Sequence, residues 1–389
     1  MRWRVPAALA GTGLLFSFAG VATGDAAQAK PDTASYGSAS QNAPVVVARG
    51  LNNPRQVSIT PLGSLLVAEA GTGGAHCLPF GESGGLSCLG MTGSISFVPN
   101  PRLSTATTPI RLVTGLLSVA APNGAAATGA SGMSAGHGKI YFVMTGVPPV
   151  ELPPDLDTSM SGKLMGVRPP ASPRVAADLQ AYETANDPDN QGPESAPYQV
   201  LALRDRVLVA DAAGNDVLQL RDGRLSTFAV LPNVQDGACA GRPNENGTTG
   251  CDAVPTGLAV GRDGSIYVGG LGGFTPGAGH VYKLNGRTGR IEKQWTGLTA
   301  VNGVAVGPDG SVYASQLFTA FGPAGPDFAT GKVTRIRPDG TRTDTAVPAP
   351  AGLAVAGHSL YVSAWSTSPG GGLGVPGTDS SGQVWRLRI

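Results

Sequence analysis

The chain has 389 residues, of which 58 are glycine and 32 proline with no triplet period, and only 14 % are charged. Lys+Arg number 27 against 26 Asp+Glu. That near-neutral balance, with no basic cluster, argues against nucleic acid or anionic membrane as a partner, and the low charge argues against charge-driven disorder.

At the N-terminus Arg2 and Arg4 precede an apolar run from Val5 to about Val21, and Ala27-Gln28-Ala29 has the A-x-A form of a cleavage site. Residues 1–29 therefore read as an export signal, and the mature protein is expected outside the cell. Cleavage removes Arg2, Arg4 and Asp25, leaving 25 Lys+Arg against 25 Asp+Glu. Residues 30–43 are Ala/Ser/Asp/Gln-rich and read as a flexible lead-in to a single domain over 44–389.

From there a small unit recurs: an apolar strand, a tight turn, a second strand, a variable loop, a third strand and an outer fourth. Its clearest copy is 301–337, where 304–306 and 311–315 flank Pro308-Asp309-Gly310 and a third strand opens at Gly331-Lys332-Val333, closed by 341–345. The first unit comprises 56–60, 64–68, 93–98 and 110–113. The second is degenerate, with 125–127, 139–144 and 162–167. The third has 198–203, 206–210, 216–220 and 225–230, and the fourth 256–260, 265–269, 280–284 and 291–295. The sixth has 352–355, 359–363 and 383–387 but no outer strand. A strand at 45–48 is left unassigned, and placing it as the outermost strand of the sixth unit closes a ring and removes two exposed edges. The expected fold is an all-β, six-bladed β-propeller of four-stranded blades. Between its second and third blades, residues 176–183 have helix-forming composition and Pro188 stops them, giving one short helix.

Blade geometry collects the long segments 70–92, 145–161, 168–197, 232–255, 270–279, 317–330 and 364–381 on one face, where function is expected. Cys77 with Cys88 and Cys239 with Cys251 lie in these segments. Two disulfides are expected in an exported chain, each closing a loop of about a dozen residues and contributing about 2–3 kcal/mol.

Several stretches then resemble the ScyD/ScyE family of exported propeller-like proteins, named for scytonemin gene clusters. These are Gly50-Leu51-Asn52-Asn53-Pro54-Arg55, Glu69-Ala70-Gly71 through Cys77 to Thr92-Gly93-Ser94, Ala177-Asp178-Leu179 with Tyr182-Glu183, Val209-Ala210-Asp211-Ala212-Ala213-Gly214-Asn215-Asp216-Val217-Leu218, and Pro255-Thr256-Gly257-Leu258-Ala259-Val260. The resemblance runs over 44–389 and implies a secreted propeller, with an accessory role toward an aromatic metabolite resting on the family's name alone. It lends no catalytic residue.

Candidate chemistry is sparse. Gly132-Met133-Ser134-Ala135-Gly136 has the letters of a nucleophile elbow, but a strand follows where a helix is required, so it reads as a turn of the second unit. Asp187-Pro188-Asp189-Asn190-Gln191-Gly192 resembles half of a calcium loop, with Tyr198 where a bidentate Glu would complete it. Glu69 and Asp211 end equivalent second strands, and with Asn123, Asn215 and Asn302 they are the candidates for an axial divalent cation of the lactonase kind. The plainer reading is that the two acids accept main-chain N–H bonds from adjacent loops. Arg55 is expected on the channel rim, facing an anionic ligand or a neighbouring acid. His76, His137, His280 and His358 form no constellation. The expectation is thus a secreted, monomeric, non-enzymatic protein that binds an extracellular ligand or protein on the loop-rich face. No resident cofactor is expected beyond calcium or another divalent cation at the acids named, and the rival reading is a metal-dependent propeller hydrolase.

Overall fold

A computed structural model describes residues 43–80, 85–103, 105–145, 153–323, 325–374 and 377–389. The expected export signal lies outside these residues. Among them are six antiparallel sheets of four or five strands, a two-stranded ribbon (Phe321–Gly322 with Gly325–Pro326) and one α-helix.

The first sheet runs Pro54–Ile59, Leu65–Glu69, Gly85–Val98, with both His76–Phe80 and Ile110–Ala120 paired to Gly85–Val98. The second runs Ala130–Gly136, Lys139–Met144, Lys163–Val167, Arg174–Asp178. The third holds Pro197–Ala202, Val207–Asp211, Asp216–Arg221 and Arg224–Val230, and the fourth Pro255–Val260, Ile266–Gly270, Gly279–Leu284 and Ile291–Leu298. Val301–Val306, Val312–Gln316, Lys332–Ile336 and Arg342–Ala346 make the fifth. In the sixth, Leu353–Ala356, Ser359–Ala364 and Gly382–Arg388 are completed by Val45–Leu51 from the other end of the described chain.

Alternation explains why these segments are strands and the Asp-Gly pairs explain where they turn. In the fifth sheet Gly310 takes φ +79°, while the Asp309 carboxylate accepts the Ser311 N–H at 3.0 Å and so fixes the turn. The apolar face of each sheet packs on the next. Leu66 and Ile95 of the first meet Met133 and Phe142 of the second; Tyr141 and Val143 of the second meet Val200 and Val209 of the third. The series continues around to Tyr361 and Val384 of the sixth against Val57 and Val67 of the first. Val47 and Leu51 of the closing strand are buried in that last interface, each stabilising the closure by about 1.5–3 kcal/mol. The first strands pack on one another in the same cyclic order. This is a propeller arrangement, with the first strands innermost.

Several expectations change. The inner strand of the second sheet is Ala130–Gly136 rather than 125–127; both stretches are rich in small residues, and the later one has Met133 to anchor it in the core. Gly132-Met133-Ser134-Ala135-Gly136 is therefore strand and not a turn, and Ser134 Oγ accepts the Ala202 N–H at 3.1 Å. Much of 70–92 is strand instead of loop, because Cys77 and Cys88 face each other directly across the pair that their disulfide joins. The second disulfide, Cys239–Cys251, forms as expected. The helix is Leu179–Asn186 rather than 176–183, because Arg174–Asp178, in a segment expected to be loop, pairs as the second sheet's outer strand; Asp178 caps it by accepting the Ala181 N–H, and Asp187 in the left-handed conformation ends it.

Candidate functional site

The inner strands share one local irregularity, and it builds the axis. In five of the sheets the pairing of first with second strand slips just after the first residue, at Pro54/Val57, Ala130/Gly132, Pro197/Gln199, Pro255/Gly257 and Val301/Gly303. Such a bulge re-aims the side chain at the slip. The residues so placed, Arg55, Ser131, Tyr198, Thr256 and Asn302, all line one cavity of about 60 Å³ on the loop-rich face. Thr367 from the sixth sheet's loop completes the ring, and Leu271, Phe274 and Leu317 give it apolar walls.

One residue further along, each sheet's inner segment carries either a glutamine or a glycine: Gln56, Gly132, Gln199, Gly257, Gly303 and, just before the sixth strand, Gly352. The glycines allow neighbouring strands to touch. A Cβ on Gly352 would stand 2.4 Å from the Gln56 Cα, and one on Gly303 would stand 2.4 Å from the Ala351 carbonyl. The glutamines fill the remaining space. Gln56, 1 % exposed, donates from Nε2 to the carbonyls of Thr256 (3.0 Å) and Asn302 (2.7 Å), and its Oε1 accepts from Gln199 Nε2 at 3.5 Å. These bonds close the floor of the cavity.

Arg55 lines the cavity. Its guanidinium donates to the Ala127 carbonyl of the neighbouring sheet's entry loop rather than to an acid. Asn302 lines the cavity but is only 1 % exposed, and its buried side-chain Oδ1 has no hydrogen-bond partner. Asn123 lies on an exposed turn and accepts the Ala125 N–H. Asn215 bridges two loops, accepting the Val254 N–H at 3.0 Å and donating to Asp189 at 2.9 Å.

The structure does not bring Glu69 and Asp211 together: they belong to the first and third sheets, and neither lines the axial cavity. Glu69 is fully buried and accepts from the Asn52 N–H (2.6 Å), Ser94 Oγ (3.0 Å), Ser96 Oγ and Arg111 (2.9 Å). Asp211, also fully buried, accepts from the Ala196 N–H (2.7 Å), Ser195 Oγ (2.5 Å) and the Gly214 N–H (3.4 Å). Burial pushes its carboxyl up, and those hydrogen bonds pull it back. Gln316, in the same place in the fifth sheet, accepts the Thr299 N–H at 2.7 Å. In all three cases the last side chain of the second strand holds the loop that enters its own sheet.

Asp187 and Asp189 lie beside the helix end, where Asp187 accepts the Gln191 and Gly192 N–H groups and Asp189 accepts from Gln191 and Asn215. Among the described residues no three His, Cys, Asp or Glu side chains stand in ready coordination geometry. The histidines are scattered: His76 pairs with Asp155, His137 with the Leu203 carbonyl and His280 with Asp236.

A second hollow, of about 220 Å³, opens on the tight-turn face between Val260, Val306 and Val355. It is the larger of the two, but it is lined from three sheets and by one charged side chain, Arg262. The smaller cavity has the convergent polar groups that characterise a binding site.

No family model matches the chain, and no curated protein matches it. Solved structures similar to it include a catalytically inactive virginiamycin B lyase from Staphylococcus aureus with quinupristin, at 12 % identity and TM-score 0.46, covering 90 % of this chain and 99 % of that one. A calcium-binding protein, regucalcin, from Agrobacterium tumefaciens is similar at 10 % identity and TM-score 0.44, covering 89 % and 91 %. The WD40 β-propeller domain of Doa1 is similar at 11 % identity and TM-score 0.43, covering 85 % and 78 %. At that level of superposition the likenesses carry no argument, and the fold rests on the sheets themselves.

Proposed function

We propose that this chain is a secreted, monomeric six-bladed β-propeller of the ScyD/ScyE kind that binds a ligand or partner at the axial mouth of its loop-rich face and performs no reaction there. The count of six takes each four- or five-stranded sheet as a blade and the short ribbon as part of the fifth blade's loop. An exported location is in keeping with the two disulfides and with the leader read in the sequence.

The observation that carries the binding reading is the composition of the axial cavity. Each sheet contributes to it, Leu271, Phe274 and Leu317 give it apolar surface, and its polar lining combines the Arg55 guanidinium and Asn302 with the hydroxyls of Ser131, Tyr198, Thr256 and Thr367. A ligand group with an acceptor for Arg55 and a donor for Asn302, on an apolar body packed against Phe274 and Leu317, matches that lining. At about 60 Å³ the cavity admits the tip of a molecule, with the surrounding loops covering the rest. The hydrolase alternative needs carboxylates at the axis. Glu69 and Asp211 would have to leave three or more hydrogen bonds each to reach it, and no observation favours that reading.

The test is a thermal-shift panel of small aromatic and aliphatic acids, amides and hydroxy compounds, run on the wild type, Arg55→Ala and Asn302→Leu. The reading expects compounds that stabilise the wild type and lose that effect in both variants. Compounds that stabilise all three proteins equally would place binding elsewhere.

A further inference from the structure

Away from the axis, four buried or half-buried carboxylates surround the hairpin turn 212–215, between the second and third strands of the third sheet. Asp211 and Asp216 oppose each other across that hairpin and so point to the same face. Asp189 reaches it through its bond from Asn215 Nδ2. Glu183, from the helix, is aimed at it: its carboxyl carbon lies 3.1 Å from where a Cβ on Gly214 would stand. Asp187 follows close behind at the end of the helix.

The hydrogen bonding divides these acids into two kinds. Asp187, Asp189 and Asp211 accept from main-chain N–H groups and side chains. Glu183 and Asp216 are each 0 % exposed, and none of their four carboxylate oxygens has a hydrogen-bond partner. A buried, unpartnered carboxylate costs several kcal/mol. The groups acting on these two are also all of one sign. Glu183 feels Asp211, Asp189 and Asp187, and Asp216 feels Asp211, Glu183 and Asp189, every one of them an acid. A proton on one acid would relieve only that acid's charge and leave the other carboxylates around it unneutralised. A cation satisfies charge and oxygens together.

We propose that Glu183, Asp216 and Asp189 bind one calcium ion between the helix, the loop 187–192 and the turn 212–215. Every donor there is an oxygen, with no histidine or cysteine, which suits a hard cation. Calcium tolerates the irregular geometry that loops supply, where magnesium demands a near-regular octahedron. The loop offers the first half of a calcium site, and Glu183 and Asp216 stand in for the acid that Tyr198 does not provide. Since no three of these side chains are yet in coordination geometry, they close on the ion by rotation. The site is separate from the axial cavity and does not depend on what binds there.

The test is calorimetric titration of CaCl₂ into the disulfide-intact mature protein after chelator treatment, with Glu183→Gln, Asp216→Asn and Asp189→Asn alongside, each checked for native circular dichroism. The expected result is one calcium per chain in the millimolar-or-tighter range of extracellular modules, a higher melting temperature with calcium, and binding weakened roughly tenfold or more in each folded variant. Asp189→Asn, at the half-buried edge, keeps the test decisive if a core variant fails to fold. No saturable binding by the wild type up to about 10 mM calcium, above that range, overturns the proposal. Undiminished binding in the folded variants overturns it equally.

Discussion

Gln56 Nε2 donates to the main-chain carbonyl of Asn302 at 2.7 Å, so a side chain of the first sheet is bonded to the backbone of the fifth across the axis. A second bond from the same nitrogen goes to Thr256 of the fourth. One amide therefore ties three inner strands and forms the floor on which the cavity stands.

Gln56→Ala removes both bonds and leaves two buried carbonyls to find water. At about 1–2 kcal/mol for each unsatisfied group, the expected loss is about 2–4 kcal/mol in a denaturant melt, with the cavity deepened. A loss below about 0.5 kcal/mol, the range of an ordinary surface change, would mean that the floor is held by something else.

Glu69 holds the loop that enters its sheet through the Asn52 N–H. Glu69→Ala strands Arg111, two serine hydroxyls and the Asn52 N–H, and the expected cost is about 3 kcal/mol, toward the low end for a broken buried pair because Arg111 is part-exposed. Glu69→Gln keeps the acceptor for Asn52 and is expected to cost less. A Glu69→Ala protein that melts like wild type contradicts this role.

His280 sits in the fourth sheet with its Nε2 2.9 Å from Asp236 and its Nδ1 3.2 Å from the Tyr282 hydroxyl. Burial lowers its affinity for a proton, and Asp236 only partly restores it. Its folded pKa is thus below the unfolded value, so its stabilising effect is complete above about 6.5 and is lost as pH falls from there toward the folded value. The melting temperature of wild type is expected to drop between about pH 7.5 and 5.5, and His280→Asn to show a smaller drop. An equal drop in both proteins would assign the pH dependence to other groups.

Much of this was legible in the sequence. Alternation and the Asp-Gly turns located the third, fourth and fifth sheets nearly residue by residue, and the missing outer strand of the last sheet pointed to 45–48, within the observed Val45–Leu51. The second sheet's inner strand was harder, since an Ala/Gly/Ser run gives no period to count. The site was less legible. Glu69 and Asp211 occupy equivalent places, but the end of a second strand can face the axis or the entry loop. Gln316 in the same place is the signal that separates the two, because an amide serves as a loop acceptor and is a poor cation ligand. The ring of Gln56, Gly132, Gln199, Gly257, Gly303 and Gly352 can be read by aligning the inner strands from their first residues. Glu183 and Asp216 leave no such trace, since only the packing of the helix against the third sheet brings them near one turn.

The axis is expected to bind a ligand without catalysing a reaction. The most direct measurement is turnover by wild-type mature protein over a panel of lactones and esters, first stripped with chelator and then given calcium, magnesium, manganese or zinc in turn. The account predicts no hydrolysis above the buffer rate under any of these conditions. Hydrolysis that appears with a divalent cation and vanishes with chelator would contradict it and restore the axial hydrolase.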